Sequence, residues 1–128
     1  MTEIKPAKPV CVMVVDDEKV IRDLLRRHLN SLGYDVVIAE SGEMALVRAK
    51  HFRPSLVILD IKMPGMGGLK CLKQLRKLDP DLPVIMLTAV LERDAVMEAV
   101  HDGALEYLYK PIDLSTITKV VQTFLAAR

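Results

Sequence analysis

The sequence predicts an α/β protein, a three-layer αβα sandwich on one doubly wound, five-stranded parallel sheet. Three observations predict it. Short unbroken apolar runs recur along the chain, and each is followed by a stretch with helical apolar spacing. Such runs read as strands buried on both faces, and regular strand–helix alternation implies a parallel sheet with helices on both sides. Several of these runs also end abruptly in a polar or charged residue, as in the step from Leu59 to Asp60 before Pro64, Gly65, Gly67 and Gly68. That is how a buried strand surfaces into a loop.

The elements follow in order. Residues 1–9, with Pro6 and Pro9, form a polar lead-in, and residues 10–127 form the domain. The first strand spans 10–15 and ends at Asp16 and Asp17. A helix over 18–32 carries Val20, Ile21, Leu24, Leu25, Leu29 and Leu32 as its stripe, with Arg22, Arg26 and Arg27 largely off it and Gly33 as its C-terminal cap. The second strand is 36–39. Ser41 caps a helix over 42–52, which Arg53 and Pro54 stop.

The third strand is 56–59, and the third helix, 68–78, shows Leu69, Leu72, Leu75 and Leu78. Asp79, Pro80 and Asp81 make a turn before the fourth strand, 84–87, which ends at Thr88 and Ala89. The fourth helix, 92–102, is polar apart from Ala95, Val96, Ala99 and Val100, and Gly103 closes it. The fifth strand, 106–109, ends at Lys110 and Pro111. Asp113 caps a last helix running through Ala127 with Ile117, Val120, Val121, Phe124 and Leu125 on one face.

Composition narrows the function. A chain of 128 residues is the size of one domain. Apolar residues make up 51%, yet no run approaches the roughly 18 residues of a membrane span. The polar N-terminus shows no cleavage pattern, so a cytoplasmic, soluble protein is expected. With 18 basic and 17 acidic residues, charge gives no case for nucleic acid as the main partner, and 4% aromatics offer no base-stacking platform. Cys11 and Cys71 read as buried thiols, the seven methionines as core filler, and His28, His51 and His101 as exposed helix residues without metal-ligand spacing.

The strand ends carry the chemistry. With strand order 2-1-3-4-5, strands 1 and 3 are neighbours, and Asp16, Asp17 and Asp60 converge in one crevice, with Thr88 and Lys110 beside it. Three carboxylates together repel and need a cation or a shifted protonation to coexist. Oxygen ligands without His or Cys suit a hard ion such as Mg²⁺. Metal, ammonium and hydroxyl together describe a site for a phosphoryl group. Asp60, alone at its strand end, is the natural nucleophile, and Asp16 and Asp17 the metal ligands. Taken singly, Asp16 and Asp17 read as a helix-capping pair, Asp60 as a turn acid, Lys110 as a surface lysine and Tyr107 as packing. The common position of Asp16, Asp17, Asp60 and Lys110 at strand ends of one sheet favours the functional reading, whereas Tyr107 has only its spacing from Lys110.

Over about residues 10–126 the sequence resembles the receiver domain of two-component response regulators, the fold of the chemotaxis response regulator. The resemblance rests on Asp16-Asp17, on Asp60-Ile61-Lys62-Met63-Pro64-Gly65, on Thr88-Ala89 and on Lys110-Pro111, all in order. It implies a flavodoxin-like sheet of order 2-1-3-4-5. It implies that Asp60 accepts a phosphoryl group from a phosphohistidine, and that Asp17 binds Mg²⁺ (or Mn²⁺ in its place) directly, with Asp16 partly through water. The backbone carbonyl of Lys62 and Asp60 itself would complete the protein ligands. It implies that Thr88, Ala89 and Lys110 bind phosphoryl oxygens, that Thr88 and Tyr107 switch together, and that Pro111 is cis. Ile112 stands where the family often has Phe. Lys62 and Val90 occupy variable positions that tune the lifetime of the phosphoryl group.

The implied partners are a sensor histidine kinase or histidine phosphotransfer protein, and an output domain or downstream protein. The switch is expected to act through the face of the fourth helix, fifth strand and fifth helix, which is also compatible with homodimerisation. Neither nucleic acid nor membrane is expected to be bound directly. Apart from its own phosphorylation and dephosphorylation the domain is not expected to be an enzyme. Most of the family carries an output domain, so a receiver from a longer protein is preferred over a complete regulator. Two other functions fit less well. A haloacid-dehalogenase-type phosphatase needs a second Asp two residues after the nucleophile, where this chain has Lys62. A flavodoxin-like cofactor binder needs a Ser/Thr-rich phosphate loop where this chain has Asp16 and Asp17.

Overall fold

A computed structural model describes residues 9–127. Ten elements alternate strictly: β1 (Cys11–Val15), α1 (Lys19–Ser31), β2 (Asp35–Ala39), α2 (Gly42–Phe52), β3 (Leu56–Leu59), α3 (Gly68–Leu78), β4 (Val84–Thr88), α4 (Arg93–His101), β5 (Glu106–Tyr109) and α5 (Leu114–Ala127). The strands form one parallel sheet in the order β2-β1-β3-β4-β5. This is the predicted architecture. No helix among the described residues is long and apolar enough to cross a membrane.

The period of two along each strand divides the core between the two faces. Met13, Val15, Val57, Leu59, Val84 and Met86 point to one side, where Ala45 and Ala49 of α2, Cys71, Leu72 and Leu75 of α3 and Ala99 of α4 cover them. Val12, Val14, Leu56, Ile58, Ile85 and Leu87 point to the other, against Leu25 and Leu29 of α1 and Ile117 and Val121 of α5. Burial on both faces is the reason these strands read as continuous apolar runs rather than as alternation.

The helix boundaries have identifiable causes. The Ser41 hydroxyl accepts from the Met44 N–H (3.2 Å), and the Asp113 carboxylate accepts from the N–H groups of Ser115 (3.0 Å) and Thr116 (3.4 Å). Gly33, just past the end of α1, sits at φ +94°, a left-handed value that glycine adopts without strain.

Several boundaries and environments differ from the sequence reading. Val10 lies outside β1, although its carbonyl still accepts from the Asp35 N–H (2.9 Å), which draws the start of β2 back to Asp35. β4 runs one residue further than expected because Thr88, β-branched and central, stays in register with Tyr109. α4 is shorter at both ends, at Arg93–His101. Cys11 is half-buried rather than buried, whereas Cys71 is buried, and both thiols are free. His28 is half-buried rather than exposed, because its Nε2 meets the Thr118 hydroxyl of α5 at 2.7 Å. His51 and His101 are exposed as expected. Of the methionines, Met13 and Met86 are core residues, while Met97 is exposed. The lead-in expected over residues 1–9 falls almost wholly outside the described residues.

Candidate functional site

The site is built by register. Val15 pairs with Leu59 across β1 and β3, so the next residues, Asp16 and Asp60, leave adjacent strands at the same level. Both are locked there by the ladder: the Asp16 N–H donates to the Ala39 carbonyl (3.1 Å), and the Asp60 N–H to the Val15 carbonyl (3.0 Å). On the other side Thr88 pairs with Tyr109, and the Lys110 N–H donates to the Thr88 carbonyl (3.0 Å). The Lys110–Pro111 bond is cis.

Gly68 sets how closely α3 approaches. A Cβ there would collide with the Asp60 carbonyl oxygen and come within 2.6 Å of the Ile61 Cα. The Gly68 N–H donates to the Ile61 carbonyl (2.8 Å). Only a residue without a side chain permits this contact, so the glycine at the start of α3 is a positioning element for the acid two strands' width into the sheet.

The residues expected to converge do so. Ligand oxygens of Asp16, Asp17, Glu18 and Asp60 lie within 4.8 Å of one another. Asp16 and Asp60 are buried, whereas Asp17 and Glu18 are exposed. The Lys110 ammonium contacts three of the four carboxylates: Asp16 Oδ2 at 2.9 Å, Glu18 Oε1 at 2.8 Å and Asp60 Oδ2 at 3.0 Å. Burial pulls the Lys110 amine down and is the largest single influence. The hydrogen bonds from Asp16, Glu18 and Asp60 together outweigh it and hold the ammonium above lysine's ordinary value. Burial pushes the Asp16 carboxyl above the usual carboxylate range, opposed by the Lys110 ammonium and by the Glu18 N–H, which donates to Asp16 Oδ1 at 2.9 Å.

Among the described residues three buried side-chain atoms lack a hydrogen-bond partner, Arg48 Nε, Asp102 Oδ2 and Asp60 Oδ1, and only the last belongs to the acidic cluster. Asp60 Oδ1 is buried and has no hydrogen-bond partner among the described residues. A buried carboxylate oxygen without a partner is costly and invites explanation by an ion or a reacting group. An all-oxygen donor set with excess negative charge fits a hard divalent cation, so the residues present suit Mg²⁺.

Thr88 is fully buried, and its hydroxyl oxygen accepts from the Val90 N–H (3.2 Å), which leaves the hydroxyl proton free to donate elsewhere. Tyr107 of β5 is half-buried, and its phenol donates to the Val90 carbonyl (2.8 Å). Burial, reinforced by Tyr109, Glu92 and Asp60, pushes the Tyr107 phenol up to about 12. The two expected switch residues therefore meet at one residue of the β4–α4 loop, Val90, through its N–H and its carbonyl.

Asp17, Glu18, Asp60, Lys62, Thr88, Ala89 and Lys110 line a recess of about 270 Å³. A larger recess, about 940 Å³, lies between α3 and α4 and is lined by Lys70, Lys73, Arg76, Glu98 and Asp102 among others. Its size does not make it the reactive centre: its own buried, unbonded oxygen, Asp102 Oδ2, has the Lys73 ammonium 3.9 Å away, whereas Asp17, Glu18, Asp60 and Lys110 all meet at the smaller one. The sequence reading missed Glu18. Its signal was present as the third of three consecutive acids, but at the start of α1 it reads as ordinary helix-terminus charge.

Comparison with known proteins agrees with this geometry. The family model for the response regulator receiver domain matches residues 12–122. The chain is 43% identical over 112 residues to "Response regulator MprA" of Mycobacterium sp. (strain KMS), covering 85% of this chain and 47% of that protein, so it spans about half the length of that relative. It is 39% identical over 114 residues to "Sporulation initiation phosphotransferase F" of Bacillus subtilis (strain 168), covering 89% of this chain and 92% of that one. A chain of the CheX–CheY–BeF3–Mg²⁺ complex from Borrelia burgdorferi superposes with a TM-score of 0.85 at 30% identity, covering 90% of this chain and 88% of that one. A parallel sheet of this order, an acidic cluster at its carboxyl edge and a family match across nearly the whole chain lead to one conclusion: this chain belongs to the response regulator receiver domain family of two-component signalling.

Proposed function

We propose that residues 10–127 act as one receiver unit in a phosphorelay, with Asp60 as the phosphoacceptor. The observation that carries the proposal is the pair of oxygens on Asp60. One, Oδ2, is held by Lys110, and the other, Oδ1, is buried without a partner. In the transfer a carboxylate oxygen of Asp60 attacks the phosphorus of a phosphohistidine. The new O–P bond forms as the P–N bond breaks, and the electron pair stays on the departing imidazole nitrogen. The donor is a sensor histidine kinase or a histidine phosphotransfer protein.

The chain's own groups divide the work. Asp17, Asp60 and the backbone carbonyl of Lys62 would hold Mg²⁺ or Mn²⁺, with Asp16 acting partly through water. The ion, when bound, neutralises charge on the phosphoryl oxygens. Lys110 supplies ammonium donors, Thr88 a free hydroxyl proton and Ala89 a backbone N–H to the same oxygens. Among the described residues the site holds no His for use as a general base on an attacking water, in keeping with slow hydrolysis and with a domain that acts as a switch and turns over little beyond itself.

A phosphoryl group that draws the Thr88 hydroxyl towards it shifts the oxygen to which the Val90 N–H donates. Val90 is also where Tyr107 is bonded, so the change passes to the α4–β5–α5 face. That face exposes Leu91, Met97, Val100, Leu105 and Tyr109, a surface suited to an output domain, a downstream protein or a second copy. The greater length of MprA supports an output domain as one such partner.

The test is incubation with Mg²⁺ and acetyl phosphate, read by intact mass. One acid-stable, hydroxylamine-labile phosphoryl group is expected, lost with chelator and absent from Asp60→Asn. Rapid multiple turnover of phosphomonoesters, or labelling that survives Asp60→Asn, overturns the proposal.

A further inference from the structure

Lys110 has three N–H donors, and three carboxylates occupy them. The three partners are not equivalent. The side chains of Asp16 and Asp60 are 3% and 5% exposed, whereas that of Glu18 is 59% exposed. If Lys110 is to serve a phosphoryl oxygen, it must give up one partner. Releasing Asp16 strands a buried charge, which is costly, whereas releasing Glu18 returns a carboxylate to water at little cost. Glu18 is also fixed at its base: its N–H donates to Asp16 Oδ1, and its carbonyl accepts from the Arg22 N–H (3.1 Å) at the start of α1. Its carboxylate therefore stands at the mouth of the recess on a rigid backbone, next to both the ammonium and the acidic cluster.

We infer that Glu18 is a positioning residue that occupies, in the unphosphorylated protein, the Lys110 donor a phosphoryl oxygen later takes. The inference rests on the receiver reading of Asp60 and Lys110 above. Glu18 acts on the two ligands with opposite sign. Its negative charge favours the divalent cation and opposes the incoming phosphoryl anion, and it withholds one Lys110 donor until that anion displaces it. Glu18 thereby makes cation loading the condition for anion entry and raises the threshold for small anionic phosphodonors.

The experiment uses the full chain as wild type, Glu18→Gln, Glu18→Ala and Asp60→Asn. Each is titrated with Mg²⁺ alone and then with BeF3⁻ at saturating Mg²⁺, followed by amide NMR shifts. Both variants keep the backbone bond from residue 18 to Asp16, so the fold at the site is retained. Glu18→Gln is expected to bind BeF3⁻ about fivefold more tightly and Mg²⁺ about threefold more weakly than wild type, the effect of removing one half-solvated charge a few ångströms away. Glu18→Ala should exceed Glu18→Gln for BeF3⁻, since the amide oxygen can still accept from Lys110. The gain should shrink at high salt. A purely structural role would weaken both ligands, and that outcome, or BeF3⁻ affinity unchanged within about twofold, overturns the inference while leaving the receiver reading intact. If wild type binds BeF3⁻ no better than Asp60→Asn, the receiver reading falls and this inference with it.

Discussion

The two halves of the sheet are built differently. β1, β3 and β4 are buried on both faces and end in Asp16, Asp60 and Thr88, each of them buried. β5, at the edge, is exposed at Glu106 and Tyr109 and half-buried at Tyr107 and Leu108, and α4 beside it buries only Ala99. α3 by contrast buries Gly68, Cys71, Leu72 and Leu75, and its Arg76 donates to the carbonyls of Leu82 (2.7 Å) and Gly103 (2.9 Å). One half gathers buried acids around an ammonium, with Asp16 Oδ2 at 2.9 Å and Asp60 Oδ2 at 3.0 Å from Lys110 Nζ. The other has little buried apolar area, the signature of a segment that opens at low free energy. The difference teaches that one sheet can hold a tightly packed centre beside a loosely packed edge; on the proposed function the first serves reaction geometry and the second signal output.

The sharpest way to break this comparison is at Gly68. A side chain there meets the Asp60 carbonyl and the Ile61 Cα, both backbone, so neither can yield cheaply. Gly68→Val should destabilise by about 3 kcal/mol or more and impair phosphorylation, read by urea unfolding and the acetyl phosphate assay. Unchanged stability would mean that α3 does not bear on the site as described. The contrast itself is measured by a pair. Leu72→Ala, fully buried in α3, should cost about 3 kcal/mol. Val100→Ala, 58% exposed on α4, should cost within about 0.5 kcal/mol. Comparable losses from the two would erase the distinction between the halves.

A pH titration sharpens it further. The Cys71 thiol, on α3, is pushed from 9.0 up to about 12 by burial and by Glu43, and the Tyr107 phenol from 10.0 up to about 12. The unfolded chain releases these protons near their ordinary values, while the folded chain retains them. Stability is thus full below about pH 9 and falls as pH rises towards 12, and Lys110, also raised, adds to the same trend. Cys71→Ala and Tyr107→Phe should each flatten the decline in urea midpoint across that window. A slope that ignores both variants would contradict the assignment. Tyr107→Phe at neutral pH should cost about 1 kcal/mol from the lost bond to the Val90 carbonyl, less than Leu72→Ala and more than Val100→Ala. Amide exchange should accelerate in the β4–α4 loop and stay unchanged at Asp60.

Much of this was legible in the sequence because burial on two faces leaves an unmistakable pattern. Leu56 to Leu59, followed at once by Asp60, could hardly be anything but a central strand reaching a loop, and β3 is found with those bounds. Strand-end chemistry was legible for the same reason: register turns a position in the chain into a position in the crevice. What was not legible depended on partners far away in sequence. His28 reads as a surface residue until Thr118, ninety residues on, is packed beside it. Glu18 reads as helix-terminus charge until Lys110 reaches across from β5. The β4 boundary at Thr88 was missed because its pairing with Tyr109 is a property of the sheet and not of the local run. Propensity and periodicity see a residue's neighbours along the chain, whereas these features are set by neighbours across it.

The meeting of Thr88 and Tyr107 at residue 90 has a consequence for variation. Both bonds are made to main-chain atoms, the N–H and the C=O of one residue, and neither uses the valine side chain. The wiring between the two strands is therefore indifferent to what is written at position 90, with proline, which lacks the N–H, as the exception. On the proposed function, exchange of that residue leaves the connection between Thr88 and Tyr107 standing.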